Sequence, residues 1–191
     1  STMTTINAIF ERDVSITLEL VENNDELIFF DPENDNMTND DRFKLLSEGL
    51  QIMNDHIGNS NFDIGHTFAA ENLGGATAYR VACTPLNGFA VSSSINPIGH
   101  YFEGIIAHEM GHQFGANHTW TFNGNEGTNV QVEPGSGSTI MSYAGITGAT
   151  DVQANVHPNF HAVSIEQVTN YVKSTSCQTN TNTGNAVPTV S

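Results

Sequence analysis

The segment His108-Glu109-Met110-Gly111-His112-Gln113-Phe114-Gly115-Ala116-Asn117-His118 constrains this chain more than any other. It reads H-E-x-x-H-x-x-G-x-x-H. Residues four apart share a helix face, so a helix over 101–114 turns the imidazoles of His108 and His112 to one side. Glu109 emerges on an adjacent side, placed to hold a metal-bound water without binding the metal itself. Gly115 tolerates the positive φ that a sharply ended helix needs. The turn brings back His118 as a third nitrogen ligand. Three imidazoles suit zinc, whereas carboxylates and waters would suit calcium or magnesium. Three protein ligands leave the fourth position open, which is how catalytic rather than structural zinc is built.

The rest of the chain narrows the setting. Its 191 residues, 38% of them hydrophobic, can bury one core around such a site. Five Lys and Arg against 21 Asp and Glu give a net charge of −16. A nucleic-acid partner is excluded, because it would need a basic footprint. The same charge argues against anionic lipid surfaces and suits solubility in a salty or extracellular medium. No run approaches the roughly 20 apolar residues of a membrane span. The chain opens at Ser1 with neither a charged n-region nor an apolar h-region, so any signal peptide or pro-segment is expected to be gone already. Cys83 and Cys177 form no CxxC pair and no zinc-ribbon spacing. Two buried free thiols, or one long-range disulfide in an exported protein, are both open.

Pattern along the chain mixes strands and helices. Val14, Ile16, Leu18 and Leu20 alternate with Ser15, Thr17 and Glu19, which predicts a half-buried strand over 13–21. Residues 31–41 are rich in Asp and Asn and read as a solvated loop; their spacing does not match an EF-hand. Phe43, Leu46, Leu50, Met53 and Ile57 step by three and four, predicting an amphipathic helix over 40–57 closed by Gly58. Phe62, Ile64 and Phe68 predict a second strand, Gly74-Gly75 a turn, and residues 88–95 a short edge strand. Residues 119–162 are rich in Gly, Asn and Thr and show no sustained period. Ser164 with Gln167 reads as a capping box opening a last helix, with Ile165, Val168 and Val172 as its apolar stripe. The polar stretch from Gln178 onward cannot bury a core and reads as a linker to an absent downstream region. Two units follow: a domain over 1–177 and a linker over 178–191. Strands and helices without strict alternation give an α+β fold class. Among the other histidines, His56, His66, His100, His157 and His161 read as structural or exposed rather than as ligands. Pro158 argues against a continuous helix between the last two.

The extended motif and a downstream Ser-Thr-Ile-Met-Ser-Tyr at 138–143 resemble the metzincin clan of zinc endopeptidases, which share a tight Met-turn beneath the metal. Met141 alone would read as a core filler. Within the clan, residues from about Asp13 to Cys177 look most like the bacterial reprolysin-like, adamalysin-related peptidases. AHEMGHQFGANHTW at 107–120, EPGSGSTIMSYAGI at 133–146 and FHAVSIEQV at 160–168 carry that likeness. The chain departs from venom-type and animal reprolysins in having Thr119, where they usually have Asp, and Tyr143, where they usually have Pro. Met-x-Tyr is instead the astacin and serralysin pattern.

The resemblance implies a metzincin-type catalytic domain, with a twisted mixed sheet, long helices, and an active-site cleft between a larger N-terminal and a smaller C-terminal lobe. It implies His108, His112 and His118 as zinc ligands, Glu109 as general base and Met141 as the Met-turn residue. It also implies a Cys83–Cys177 disulfide, and with it an oxidising compartment and export. Tyr143 reads either as a core aromatic or as a phenol that stabilises the transition state. The expected function is that of a secreted, extracellular, monomeric zinc endopeptidase made with an inhibitory pro-segment. Its substrate is a polypeptide lying antiparallel along the strand near 88–94. One catalytic Zn²⁺ is implied, while Ca²⁺ is possible and not assigned. The alternatives are a catalytically silent zinc-containing peptide-binding module and a hydrolase of non-peptide bonds. Side-chain preference is expected to lie in the loop at 144–161.

Overall fold

The computed structural model describes residues 1–31 and 35–184. Among them are four α-helices and one three-stranded sheet, an α+β architecture as expected. The helices are α1 (Thr2–Val14), α2 (Arg42–His56), α3 (His100–Gln113) and α4 (Ala162–Lys173); the strands are β1 (Thr67–Ala69), β2 (Gly74–Thr77) and β3 (Ala90–Ser93).

The sheet order is β1-β3-β2, with β1 parallel and β2 antiparallel to β3. Alternate residues of a strand face opposite ways, and here the two faces meet different helices. Val91 clusters with Leu45 and Leu46 of α2, and Thr67, its register partner on β1, lies against Gly49 of the same helix. Ser92 pairs with Phe68 and Gly75. On that face Phe68 meets Phe102 of α3, and Gly75 lies against Glu109. The sheet is therefore sandwiched between α2 and α3. The other side of α3 joins α1 and α4 in the main core, where Ile6, Phe10, Phe102, Ile106, Met141 and Val168 are each at most 1% exposed. Each such side chain contributes about 1.5–3 kcal/mol relative to exposure.

Several elements differ from the sequence expectation. Residues 13–21 are not a strand. α1, which the pattern reading missed, runs to Val14 and ends on Ser15 at φ 57°. The predicted alternation does survive as burial, with Val14, Ile16 and Leu18 packed on the core. No sheet ladder pairs this segment; the Asn7 side chain instead donates to the Leu18 carbonyl (2.9 Å) and accepts its N–H (2.7 Å). α2 begins on an Asp41 cap, and the chain turns away at Gly58, where φ is 87°. Its buried face is Leu45, Leu46, Gly49 and Met53, while Phe43 is 66% exposed. The stripe is rotated because α2 presents its face to Val91 and Thr67.

The strand read from Phe62, Ile64 and Phe68 is confined to 67–69. Gly74-Gly75 is not a turn but the start of β2. Residues 88–95 do contain a strand, but not an edge: β3 is central, and all four of its residues are buried. The capping box is absent. His161 caps α4 by accepting the Val163 N–H, Ser164 is fully buried, and Gln167 accepts the Asn117 N–H at 2.9 Å. The loop at 31–41 falls partly, and the tail beyond 184 wholly, outside the described residues. Residues 178–184 have no helix or strand. Cys83 and Cys177 are joined by a disulfide, with Cα atoms 5.6 Å apart, as the resemblance implied.

Candidate metal centre

α3 supplies His108 and His112 one turn apart, on the stretch that also carries Glu109. The helix ends at Phe114, and Gly115 at φ 92° reverses the chain, its N–H bonding the His112 carbonyl at 2.9 Å. Ala116 N–H bonds Gly111 O at 2.8 Å, completing the reversal that brings His118 back. Segment 79–83 holds this end of α3 from outside: the Arg80 and Val81 N–H groups donate to the carbonyls of His112 and Gln113, each at 3.0 Å.

Ligand atoms of His108, His112 and His118 all lie within 4.8 Å of one another. His112 Nε2 is 3.2 Å from His108 Nε2 and 3.1 Å from His118 Nε2. The Nδ1 atoms say what those contacts are. His108 Nδ1 is 2.7 Å from the Ile140 carbonyl and His112 Nδ1 is 2.7 Å from the Ala116 carbonyl. A carbonyl only accepts, so both protons sit on Nδ1 and both Nε2 atoms present lone pairs. Burial first, then the neighbouring histidines, holds His108 well below its ordinary pKa and His112 down to about 4, so both stay neutral. His118 Nδ1 faces the Glu126 carboxylate at 3.0 Å, which directs its Nε2 lone pair to the same point. Three lone pairs at this separation repel unless a cation lies between them. A tetrahedral zinc with Zn–N near 2.0–2.1 Å would space its nitrogens by about 3.3 Å. The residues fit a zinc site.

Met141 is fully buried beneath the ligand helix, so close that a Cβ on Gly111 would come 2.5 Å from its sulfur. Its carbonyl accepts the Thr119 N–H at 3.0 Å, so the 140–141 turn touches both the first ligand and the residue after the third. Glu109 is buried, and burial pushes its carboxyl up to about 8, with Arg42 pulling the other way. A Cβ on Gly75 would collide with Glu109 Oε1. That contact explains the glycine in a strand: β2 can approach the carboxylate only where there is no side chain. The Tyr143 ring lies 4.7 Å from that of His118 and 5.4 Å from that of Trp120. Burial, then Glu109 and Glu126, pushes its phenol further up, so it remains a donor at neutral pH.

The three histidines of the motif are thus gathered here, with Met141 buried against their helix, the Tyr143 ring beside His118, and Glu109 buried on the same helix against Gly75. Glu126 was not singled out, and Trp120 and Glu133 were quoted only as parts of the segments that carry the family likeness, with no role assigned. They lie in the Gly-, Asn- and Thr-rich stretch whose sequence has no period to read. His66 is no ligand: it sits between Gln113 and Ser92, at 3.0 and 2.9 Å, and burial lowers it to about 4. No helix of the described residues is long and apolar enough to cross a membrane.

The sequence profile of metallo-peptidase family M12B, reprolysin-like, matches residues 1–172. No curated protein matches the chain significantly. The profile spans α1 to α4 and includes the three-histidine cluster, so the chain belongs to the M12B reprolysin-like metallopeptidases, a family that uses zinc.

Proposed function

We propose that this protein is a secreted zinc endopeptidase that hydrolyses internal peptide bonds of proteins. His108, His112 and His118 are its metal ligands, residues 1–177 its catalytic domain and residues 178–191 a linker. The observation that carries the reading is the convergence of three Nε2 lone pairs, two of them from the helix that also bears the buried Glu109. The Cys83–Cys177 disulfide supports an oxidising compartment.

Zinc, when bound, polarises the scissile carbonyl and lowers the pKa of water toward about 7. Glu109 accepts the proton of the attacking water and delivers it to the leaving amine. Tyr143 donates its hydroxyl to the oxyanion that develops on the carbonyl oxygen. β3 is central, so it cannot take an added strand. Among the described residues β2 is paired on one side only, and it reaches Glu109 through Gly75, which makes its outer edge the place for an extended substrate backbone.

Digestion of casein or gelatin, with and without a chelator, tests the reading. Cleavage at internal sites that stops on chelation and returns with zinc is the expected result. Zinc bound without cleavage would leave a peptide-binding module; hydrolysis of small amides alone would move the chemistry off proteins.

A further inference from the structure

Glu133 lies outside the ligand motif, yet its carboxylate is buried and saturated. The residue is 6% exposed. Oε1 accepts from Ser138 N at 2.9 Å, Ser138 Oγ at 3.0 Å and Thr139 N at 3.1 Å. Oε2 accepts from the hydroxyls of Thr119 and Thr139, both at 2.5 Å. The donors come from two separate pieces of chain, and each piece leads directly into the metal centre. Thr119 follows His118. Ser138 and Thr139 precede Ile140, whose carbonyl orients His108, and Met141, whose carbonyl takes the Thr119 N–H. The Glu133 main chain adds to the grip, its N–H donating to the Thr119 carbonyl at 2.8 Å. Residue 119 is therefore held by its N–H, its carbonyl and its hydroxyl, all from the segment 132–141.

We propose that Glu133 is a positioning residue of the metal centre: its carboxylate ties the arm bearing His118 to the turn that orients His108, and so sets how closely the three nitrogens converge. Helical periodicity aligns His108 with His112; the reversal at Gly115 returns the chain toward them, but the arm beyond it is fixed by tertiary contacts. A buried carboxylate accepting several charge-assisted hydrogen bonds is a stiff joint, and the buried hydroxyls of Thr119 and Thr139 have no water to turn to if it is lost. Burial pushes the Glu133 carboxyl up, yet the hydrogen bonds from Thr119, Thr139 and Ser138 outweigh it and the net shift is downward, so the joint is ionised at neutral pH.

The inference rests on the three-histidine zinc site and not on peptidase activity, so its test reads metal binding. Zinc affinity of the stripped full chain is measured by competition with a chromophoric chelator, alongside the d–d spectrum of the cobalt(II) form. Glu133→Ala is expected to weaken zinc about 10–100-fold, as loss of groups that orient metal ligands does, and to change the cobalt spectrum. Glu133→Gln should fall between, because its single oxygen can still accept both backbone N–H groups while the threonine hydroxyls rotate to meet the amide. Asp151→Ala is the control. Asp151 ties the turn at 145–148 by four hydrogen bonds in the same irregular region, none of them to a histidine of the cluster or to the residues that orient one. Its loss should lower the melting temperature and leave zinc affinity within about twofold.

Wild-type affinity in a folded Glu133→Ala, or an equal loss in Asp151→Ala, overturns the proposal. If Glu133→Ala does not fold, Glu133→Gln and Glu133→Asp decide, and unchanged affinity in both overturns it. A wild-type chain that binds no zinc sinks the metal site and this inference together. One that binds zinc but cleaves nothing sinks only the peptidase reading.

Discussion

The two halves of the metal centre are held by different means. His108 and His112 sit on one helix, their spacing is the helix's own, and each is oriented by a backbone carbonyl. His118 stands on an irregular arm, is oriented by a side chain, Glu126, and is anchored through Thr119 to Glu133 and to Met141. The helical half requires only that a helix form there. The irregular half depends on contacts between residues far apart in sequence. Apart from the three histidines themselves, side-chain changes should therefore affect the chemistry most when made on the helix, and the metal most when made on the arm.

The largest effect is expected on the helical half. Glu109→Gln should leave zinc bound and cut kcat by several orders of magnitude; turnover above about a tenth of wild type would remove Glu109 from the chemistry. Next comes Tyr143→Phe, which crosses the comparison because an irregular segment supplies a group for the reaction. A fall of about 10²–10³ in kcat, with KM little changed and zinc retained, is expected for a lost oxyanion donor. A change within about twofold would make Tyr143 a packing residue, and the two halves would then divide cleanly between chemistry and metal.

Glu126→Gln should lower zinc affinity about tenfold, because an amide orients the His118 ring less firmly than a carboxylate does. An unchanged dissociation constant would mean that the arm is held by Glu133 and Met141 alone. The smallest effect concerns acid stability. The folded Glu133 carboxyl lies below its ordinary pKa, so its contribution is complete above the ordinary carboxylate range and is lost as pH falls through the folded value. The melting-temperature gap between wild type and Glu133→Gln should shrink from pH 7 toward strong acid. A gap independent of pH would show that shape rather than charge is what Glu133 supplies.

The same contrast explains what could be read in advance. The histidine cluster was legible because periodicity and a glycine act over a few residues: His108 and His112 share a face by i, i+4, and Gly115 takes the positive φ of the reversal. α2 and α4 were legible for the same reason, apart from the rotated face of the one and the cap of the other. α1 was missed because only Ile6, Ile9 and Phe10 mark its buried face among polar neighbours. β2 was misread because a glycine pair signals a turn locally, whereas Gly75 is there to let Glu109 approach. β3 was misplaced because a four-residue strand buried on both faces carries no alternation to show its neighbours.

By itself the sequence singled out the three clustered histidines, the glutamate after the first of them and the reversal after the helix, since each depends on backbone geometry within a dozen residues. The family likeness was carried by those same short motifs. Only the tertiary structure decided which strand is the edge, which carboxylate orients His118, and which one ties its arm to the turn over Met141. Those outcomes depend on which buried donors lack a partner once the chain has folded. A glutamate in a stretch without period looks the same in sequence whether it faces water or accepts five hydrogen bonds, as Glu133 does.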